Sequence, residues 1–296
     1  MLFNFLKMEL YRLSKMKSTY IMAVIMALVV LIYSYFILGF NLEYMMTLLM
    51  GGSVPADVTY VDPTQTEMDV FGGTDGSGSA VSGVGLFHFN TVAQTYQMNI
   101  GGLIGLLLIA IVAGLFYGND YSTHVNKNYP IINGCRWVGY TAKTLTLMIY
   151  VMAFHVMIWI LSLLSNAVWA SNCDPGINAG SIIYFFLTYM VTVTIVVMIG
   201  FVTTLFKSKA AGVTFGVLVS VGTLSLPVRI LDYIISAKYN LEGFSLNHFI
   251  PSRILADLTV SSERRIVIIG AVCAIIYFIS SFFGSIILTK KRDLSA

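Results

Sequence analysis

Residues 180–205 read GSIIYFFLTYMVTVTIVVMIGFVTTL, 26 positions without one charged side chain. A helix rising ~1.5 Å per residue needs about 20 apolar residues to cross the ~30 Å hydrocarbon core of a bilayer, so this stretch is long enough to span it. It does not alternate polar with apolar residues as a barrel strand does, and lipid offers no partner for an open strand edge, which leaves the helix. Five further stretches have the same character: 20–39, 99–117, 141–169, 210–231 and 266–288. The expectation is an all-α integral membrane protein with six transmembrane helices filling 20–296.

Composition agrees. The chain is 57% hydrophobic and 10% charged, with a mean hydropathy of +0.82, whereas a soluble domain carries about 25% charged residues. The net charge of +3 conceals a strong polarity. Twelve of the 17 basic residues fall in alternate connections: Lys7, Arg12, Lys15, Lys17, Lys127, Arg136, Lys143, Lys207, Lys209, Lys290, Lys291 and Arg292. Only Glu9, Asp120 and Asp293 of the 14 acids accompany them. The positive-inside rule therefore predicts that both termini are cytoplasmic and that the chain is a multi-pass protein of the cell membrane. Basic residues spread along a membrane face are not a nucleic-acid surface. The polar lead before the first span, with no small-residue cleavage site after it, reads as an uncleaved anchor. Cys135, Cys173 and Cys273 fall on the inner connection, the outer side and inside a span, so no pair shares a compartment that favours a disulfide.

The connections have distinct characters. Residues 1–19 place Leu2, Phe3, Leu6, Leu10 and Leu13 at helical spacing with Lys7, Arg12, Lys15 and Lys17 largely on the remaining arc, the pattern of an amphipathic helix on the cytoplasmic surface. The outside loop 40–98 has six acids, Glu43, Asp57, Asp62, Glu67, Asp69 and Asp75, and no Lys or Arg. It reads as a solvated linker or as an anionic vestibule for cationic ligands. A cytoplasmic segment, 118–140, has room for a short helix ending at Pro130. The outside segment 232–263 contains apolar runs too short to cross, which suits a re-entrant excursion. Small residues recur four apart at Gly101 and Gly105, at Ala110, Gly114 and Gly118, and at Gly212, Gly216 and Ser220; such ridges let helices approach closely, inside one bundle or across a dimer seam.

The chemistry-bearing residues are few. No Asp or Glu lies within a span interior, and the central ionisable group is His155, which either lines a pathway or is hydrogen-bonded between helices. A proton- or sodium-driven transporter usually keeps an ion-binding group near the midplane, so energy is expected from outside the bilayer. No zinc, redox, nucleophile-elbow or paired-carboxylate motif is present, and no P-loop; the chain is not expected to be an enzyme, and any ATP hydrolysis belongs to a partner.

The segment FYGNDYSTHVNK at 116–127, followed by Pro130, Arg136 and Lys143, resembles the stretch after the second span in the permeases of type-2 ATP-binding-cassette exporters. Asp120 stands where that family has Glu, and Tyr121 and Lys127 fit; His124 and Val125 replace its Gly-Thr pair. The amphipathic lead with Lys7, Glu9, Arg12 and Lys15, the outside segment 232–263 and the KKRDL ending at 290–294 are similar to the family as well. The resemblance implies a six-helix permease subunit paired with a second permease, the same chain or a relative, and with soluble ATPase subunits that carry ATP and Mg; no cofactor is expected on this chain. It further implies that a short helix at 119–128 enters a cleft of the ATPase, with Asp120, Tyr121, His124 and Lys127 making the contact. The expected cargo is a cationic antimicrobial peptide or hydrophobic drug, moving past Gln94, Gln97, Asn99, His155, Thr188 and Thr192. The competing readings are an ion channel or passive receptor without an ATPase, and an integral membrane enzyme.

Overall fold

A computed structural model describes residues 2–35, 92–101, 104–122, 136–169, 179–223, 225–239, 246–259 and 264–291. Among them the chain forms ten α-helices: α1 (Leu2–Lys15), α2 (Lys17–Ser34), α3 (Val92–Gly101), α4 (Ile104–Ser122), α5 (Arg136–Trp169), α6 (Ala179–Phe206), α7 (Lys209–Ser220), α8 (Ser225–Tyr239), α9 (Pro251–Asp257) and α10 (Arg264–Lys291). A 3₁₀ turn at Leu246–Phe249 precedes α9, and no strand occurs among the described residues. By length and composition α4, α5, α6 and α10 can each cross a membrane, and two bent pairs, α1 with α2 and α7 with α8, bring the total to as many as six. This is the architecture of an all-α, multi-pass membrane protein.

Helix α6 is the hub, touching α4, α5, α7, α9 and α10. Its most apolar stretch is 61% buried, against 22% for α10, so α6 is core and α10 is periphery. The outward row of α10, including Val272, Ile276, Ile279, Phe283 and Ile287, and that of α2, including Tyr20, Val24, Leu28 and Ile32, are exposed apolar side chains. Such surfaces are stable where lipid or another apolar surface covers them.

The ridges of small residues are used inside the bundle. A Cβ on Gly114 would lie 2.8 Å from the backbone N of Val213, and one on Gly118 would lie 2.6 Å from Cα of Lys209. From the facing helix, a Cβ on Gly216 would come within 3.2 Å of the Ala110 Cβ. Helices α4 and α7 therefore pack backbone against backbone, the geometry that residues four apart without bulky side chains permit.

Two elements depart from the sequence reading. The run 210–231 is not one helix: α7 ends at Ser220, and α8 leaves at 56° to it. Gly222 has φ +75°, its N–H is bonded to the Val219 carbonyl, and the Thr223 N–H reaches back to the Leu218 carbonyl. These are the paired bonds of a Schellman stop, which requires a left-handed residue at that place. The Ser225 hydroxyl caps the turn on the Gly222 carbonyl at 2.7 Å. The second difference is α3, which makes residues 92–101 helical where the sequence reading had loop up to Met98.

Helices α8 and α9 lie in the segment between α7 and α10. The Leu246 N–H donates to Oδ1 of Asp232 at 2.7 Å, tying α8 to the 3₁₀ turn. Ile254 and Leu255 of α9, with Leu258 beyond it, are then buried where α9 meets α6 and α10. At ~1.5 Å per residue the seven residues of α9 extend about 10 Å, too short to cross. Helix α1 turns away from α2 by 62° at Met16. The acidic stretch Glu43 to Asp75, along with His124 and Lys127, lies outside the described residues.

Candidate functional site

At the basic end of the bundle, four charged side chains from three helices meet. Glu9 and Arg12 come from α1, Asp120 from the last turn of α4, and Lys143 from the second turn of α5. Arg12 donates through Nη1 to Glu9 Oε1 at 2.8 Å and through Nη2 to Asp120 Oδ1 at 2.7 Å. The ammonium of Lys143 pairs with the other carboxylate oxygen of Asp120 and sits 5.3 Å from the ring centroid of Phe116. Glu9 is fully buried, and Asp120 is 5% exposed.

Two acids and two bases leave the group neutral as a whole, the condition under which charges tolerate burial. Its mechanical effect follows from its location. Asp120 is three residues before the stretch 123–135 and Lys143 is eight residues after it, so both ends of that connection are tied to one another and to α1. Asn119 widens the tie: its amide nitrogen lies 3.7 Å from Met16 Sδ at the α1–α2 elbow, and its oxygen accepts from Lys209 of α7 at 3.1 Å. Deeper in, the hydroxyl of Tyr117 on α4 lies 3.0 Å from that of Thr144 on α5, and its ring stacks on Tyr140. A Cβ on Gly200 of α6 would come within 2.6 Å of the Tyr117 ring.

The sequence reading placed Asp120 on an outward contact surface; in the structure its carboxylate points into the chain, because the last turn of α4 is covered by α1 and α5. Tyr121 is half-buried. In sequence Glu9 is an acid among the inner charges and part of the amphipathic lead, with no role in a cluster. Its signal was present in the spacing: Glu9 falls three after Leu6 and four before Leu13, on the arc that packs inward.

Of the proposed path residues, His155, Thr188 and Thr192 come together around Tyr96. His155 is fully buried, with Nδ1 3.0 Å from the Val151 carbonyl and Nε2 3.5 Å from Thr192 Oγ1. Thr192 donates to the Thr188 carbonyl at 2.8 Å, and the Tyr96 hydroxyl stands 3.4 Å from Thr188 Oγ1. The rings of Trp159, Tyr184 and Phe185 pack on Tyr96 with centroids 4.9, 6.0 and 5.7 Å away. Polar atoms so enclosed hold helices α3, α5 and α6 in one register. Asn99 belongs to a separate node: its amide donates to the Thr95 carbonyl at 2.9 Å, while Asn166 of α5 donates to Thr95 Oγ1 at 2.9 Å. Gln97 is half-buried beside this node on α3. Thr95 and Asn166 were not singled out by sequence, having no motif to mark them. Gln94 is outside what is described of the side chains.

Among the described residues no three His, Cys, Asp or Glu side chains gather in a way that could hold a metal ion. The chain matches no protein-family model and no curated protein.

Proposed function

We propose that this chain is the permease subunit of an ATP-binding-cassette transporter, a membrane bundle worked by ATP that separate soluble subunits hydrolyse with Mg. The observation that carries the reading is the Glu9–Arg12–Asp120–Lys143 cluster, which clamps both ends of the stretch 123–135 to the surface helix α1. A connection clamped in this way transmits displacement to α4 and α5 together instead of absorbing it. In this reading the basic end faces the cytoplasm, both termini are inside, and the membrane is the cell membrane. Tyr121, His124 and Lys127 present the contact to the ATPase, and Asp120 acts behind them by fixing where the segment leaves α4. A second permease, identical or related, completes the transporter. The spans contain no carboxylate in their interiors, which supports an external source of energy. The six acids from Glu43 to Asp75 suit a cationic amphipathic peptide as cargo; a hydrophobic drug is the other class that the apolar spans suit.

The test is purification of the tagged chain from the membranes of its own host in mild detergent. A soluble P-loop ATPase should accompany it, with ATP hydrolysis in the eluate, and Lys127→Glu should release the ATPase while leaving the permease monodisperse. Uphill transport by the chain reconstituted alone would overturn the proposal.

A further inference from the structure

We propose that the cleft between the α1–α2 elbow and the end of α4 binds the phosphate of an anionic glycerophospholipid from the leaflet on the basic side. The inference needs only that the helices sit in a membrane with that end at one surface, and it stands whether or not an ATPase is the partner.

The cleft is lined by Tyr11, Arg12, Lys15, Met16, Phe116 and Asn119 and has a volume of about 230 Å³. That is below the ~300–1,000 Å³ of pockets that enclose drug-sized ligands, and suits a headgroup whose chains remain outside. Its charge is not self-cancelling. Arg12 is committed to Glu9 and Asp120, but among the described residues neither Lys15 nor Lys209 has an ion pair. Lys15 stands over the Tyr11 ring at 5.5 Å, on the rim, and Lys209 is held to the lining by the 3.1 Å bond to Asn119 Oδ1. Among the described residues the lining contains no carboxylate. One ammonium from α1 thus belongs to the lining and a second, from α7, is bonded to the lining's amide oxygen, so the cleft is bordered by two positive charges of the kind that pair with a phosphodiester.

The apolar half of the ligand also has a place. Met16 and Phe116 form the inner wall, and one turn past Met16 begins the exposed apolar row Tyr20, Val24 and Leu28 of α2. A headgroup between the lysines would leave its acyl chains beside that row, which a soluble phosphate could not use. A lipid seated there touches α1, α2, α4 and α7 at once, and so acts on the same elements that the ion cluster joins.

The chain purified in detergent can be titrated with phosphatidylglycerol or phosphatidylcholine and the retained lipids counted by native mass spectrometry. Phosphatidylglycerol should be retained in preference to phosphatidylcholine. Lys15→Gln with Lys209→Gln should weaken it about 25-fold, taking roughly fivefold for each charge-assisted contact to the phosphate. Lys7→Gln with Lys290→Gln removes the same charge from exposed positions outside the cleft, where salt screens them over a Debye length of about 8–10 Å, and should change retention less than about twofold. Glycerol 3-phosphate should not displace the lipid. Equal losses in the two double variants would mean diffuse attraction and overturn the site. So would unchanged retention in the first double variant, and displacement by glycerol 3-phosphate would make the ligand a free phosphate instead. Circular dichroism and monodispersity of each variant separate these results from misfolding.

Discussion

Replacing Asp120 by Asn is the sharpest perturbation of the bundle. The substitution keeps the shape and removes the charge: Arg12 keeps its bond to Glu9, and Lys143 loses the carboxylate it pairs with. The Lys143 side chain is 6% exposed, so it cannot recover its lost partner from water without moving. Removing one member of a buried ion pair typically costs ~3–5 kcal/mol, because the remaining charge is left uncompensated. At roughly 2–4 °C for each kcal/mol in a large domain, the melting midpoint should fall by about 6–20 °C. The measurement is thermal unfolding of the purified chain in one detergent, with Asp120→Asn compared against Asp120→Asn combined with Lys143→Met. The double variant removes the stranded ammonium and replaces it with an apolar chain of similar length, so most of the lost stability should return. Suppose instead that the single change costs less than about 1 kcal/mol, or that the double change is as damaging as the single. Either result would mean that the charges are solvated in the protein, and the argument that this cluster clamps the connection would fail.

Other positions test the packing and the turns. Gly114→Ala should cost about 1–3 kcal/mol in the same assay, since its Cβ would meet the backbone of α7 at 2.8 Å and neither backbone can yield without separating the helices. Gly270→Ala is the matched comparison: its Cβ meets side-chain methyl groups, of Ile254 at 3.1 Å and of Leu187 at 4.0 Å, and a side-chain adjustment should limit the cost to below about 1 kcal/mol. Lys207, between α6 and α7, has φ +50°. Lys207→Gly relieves ~1–2 kcal/mol of left-handed strain against ~0.4–1 kcal/mol of added freedom in the unfolded chain, so the midpoint should rise by a few degrees.

The long helices were legible because a bilayer imposes one requirement, a sustained apolar run, and α6 and α10 meet it within three residues of their sequence-read ends. The break after Ser220 was not, because hydropathy continues through it; the information is in Gly222, whose left-handed backbone ends the helix without changing polarity. Helix α3 was missed for the opposite reason. Thr95, Gln97 and Asn99 lower its hydropathy, yet Thr95 and Asn99 are buried and hydrogen-bonded within the bundle, where polarity joins helices instead of exposing them. The ion cluster combines residues 9, 12, 120 and 143, and no local spacing relates α1 to the ends of α4 and α5. Only the spacing of Glu9 with Leu6 and Leu13 announces that this acid is covered.

The body of α4 and its last turn are held in different ways, and this bears on how motion could pass through the bundle. From Ala110 to Gly118 the helix is pressed backbone to backbone on α7, a contact with no slack, since a single added carbon would collide with Val213 or Lys209. Beyond Gly118 the hold changes to charge, through Asp120 on α1 and α5. Close-packed backbones slide poorly, because a shift along the axis brings Cβ atoms over the small residues; directed ion pairs break and re-form between discrete partners. A force applied to the stretch 123–135 would therefore move α4 and α7 as one body and exchange partners at the cluster. Cross-linking that separates the two interfaces can decide this. A disulfide between α4 and α7 should leave coupled activity intact, whereas one joining α1 to α5 beside the cluster should abolish it; the reverse pattern would locate the moving joint between α4 and α7.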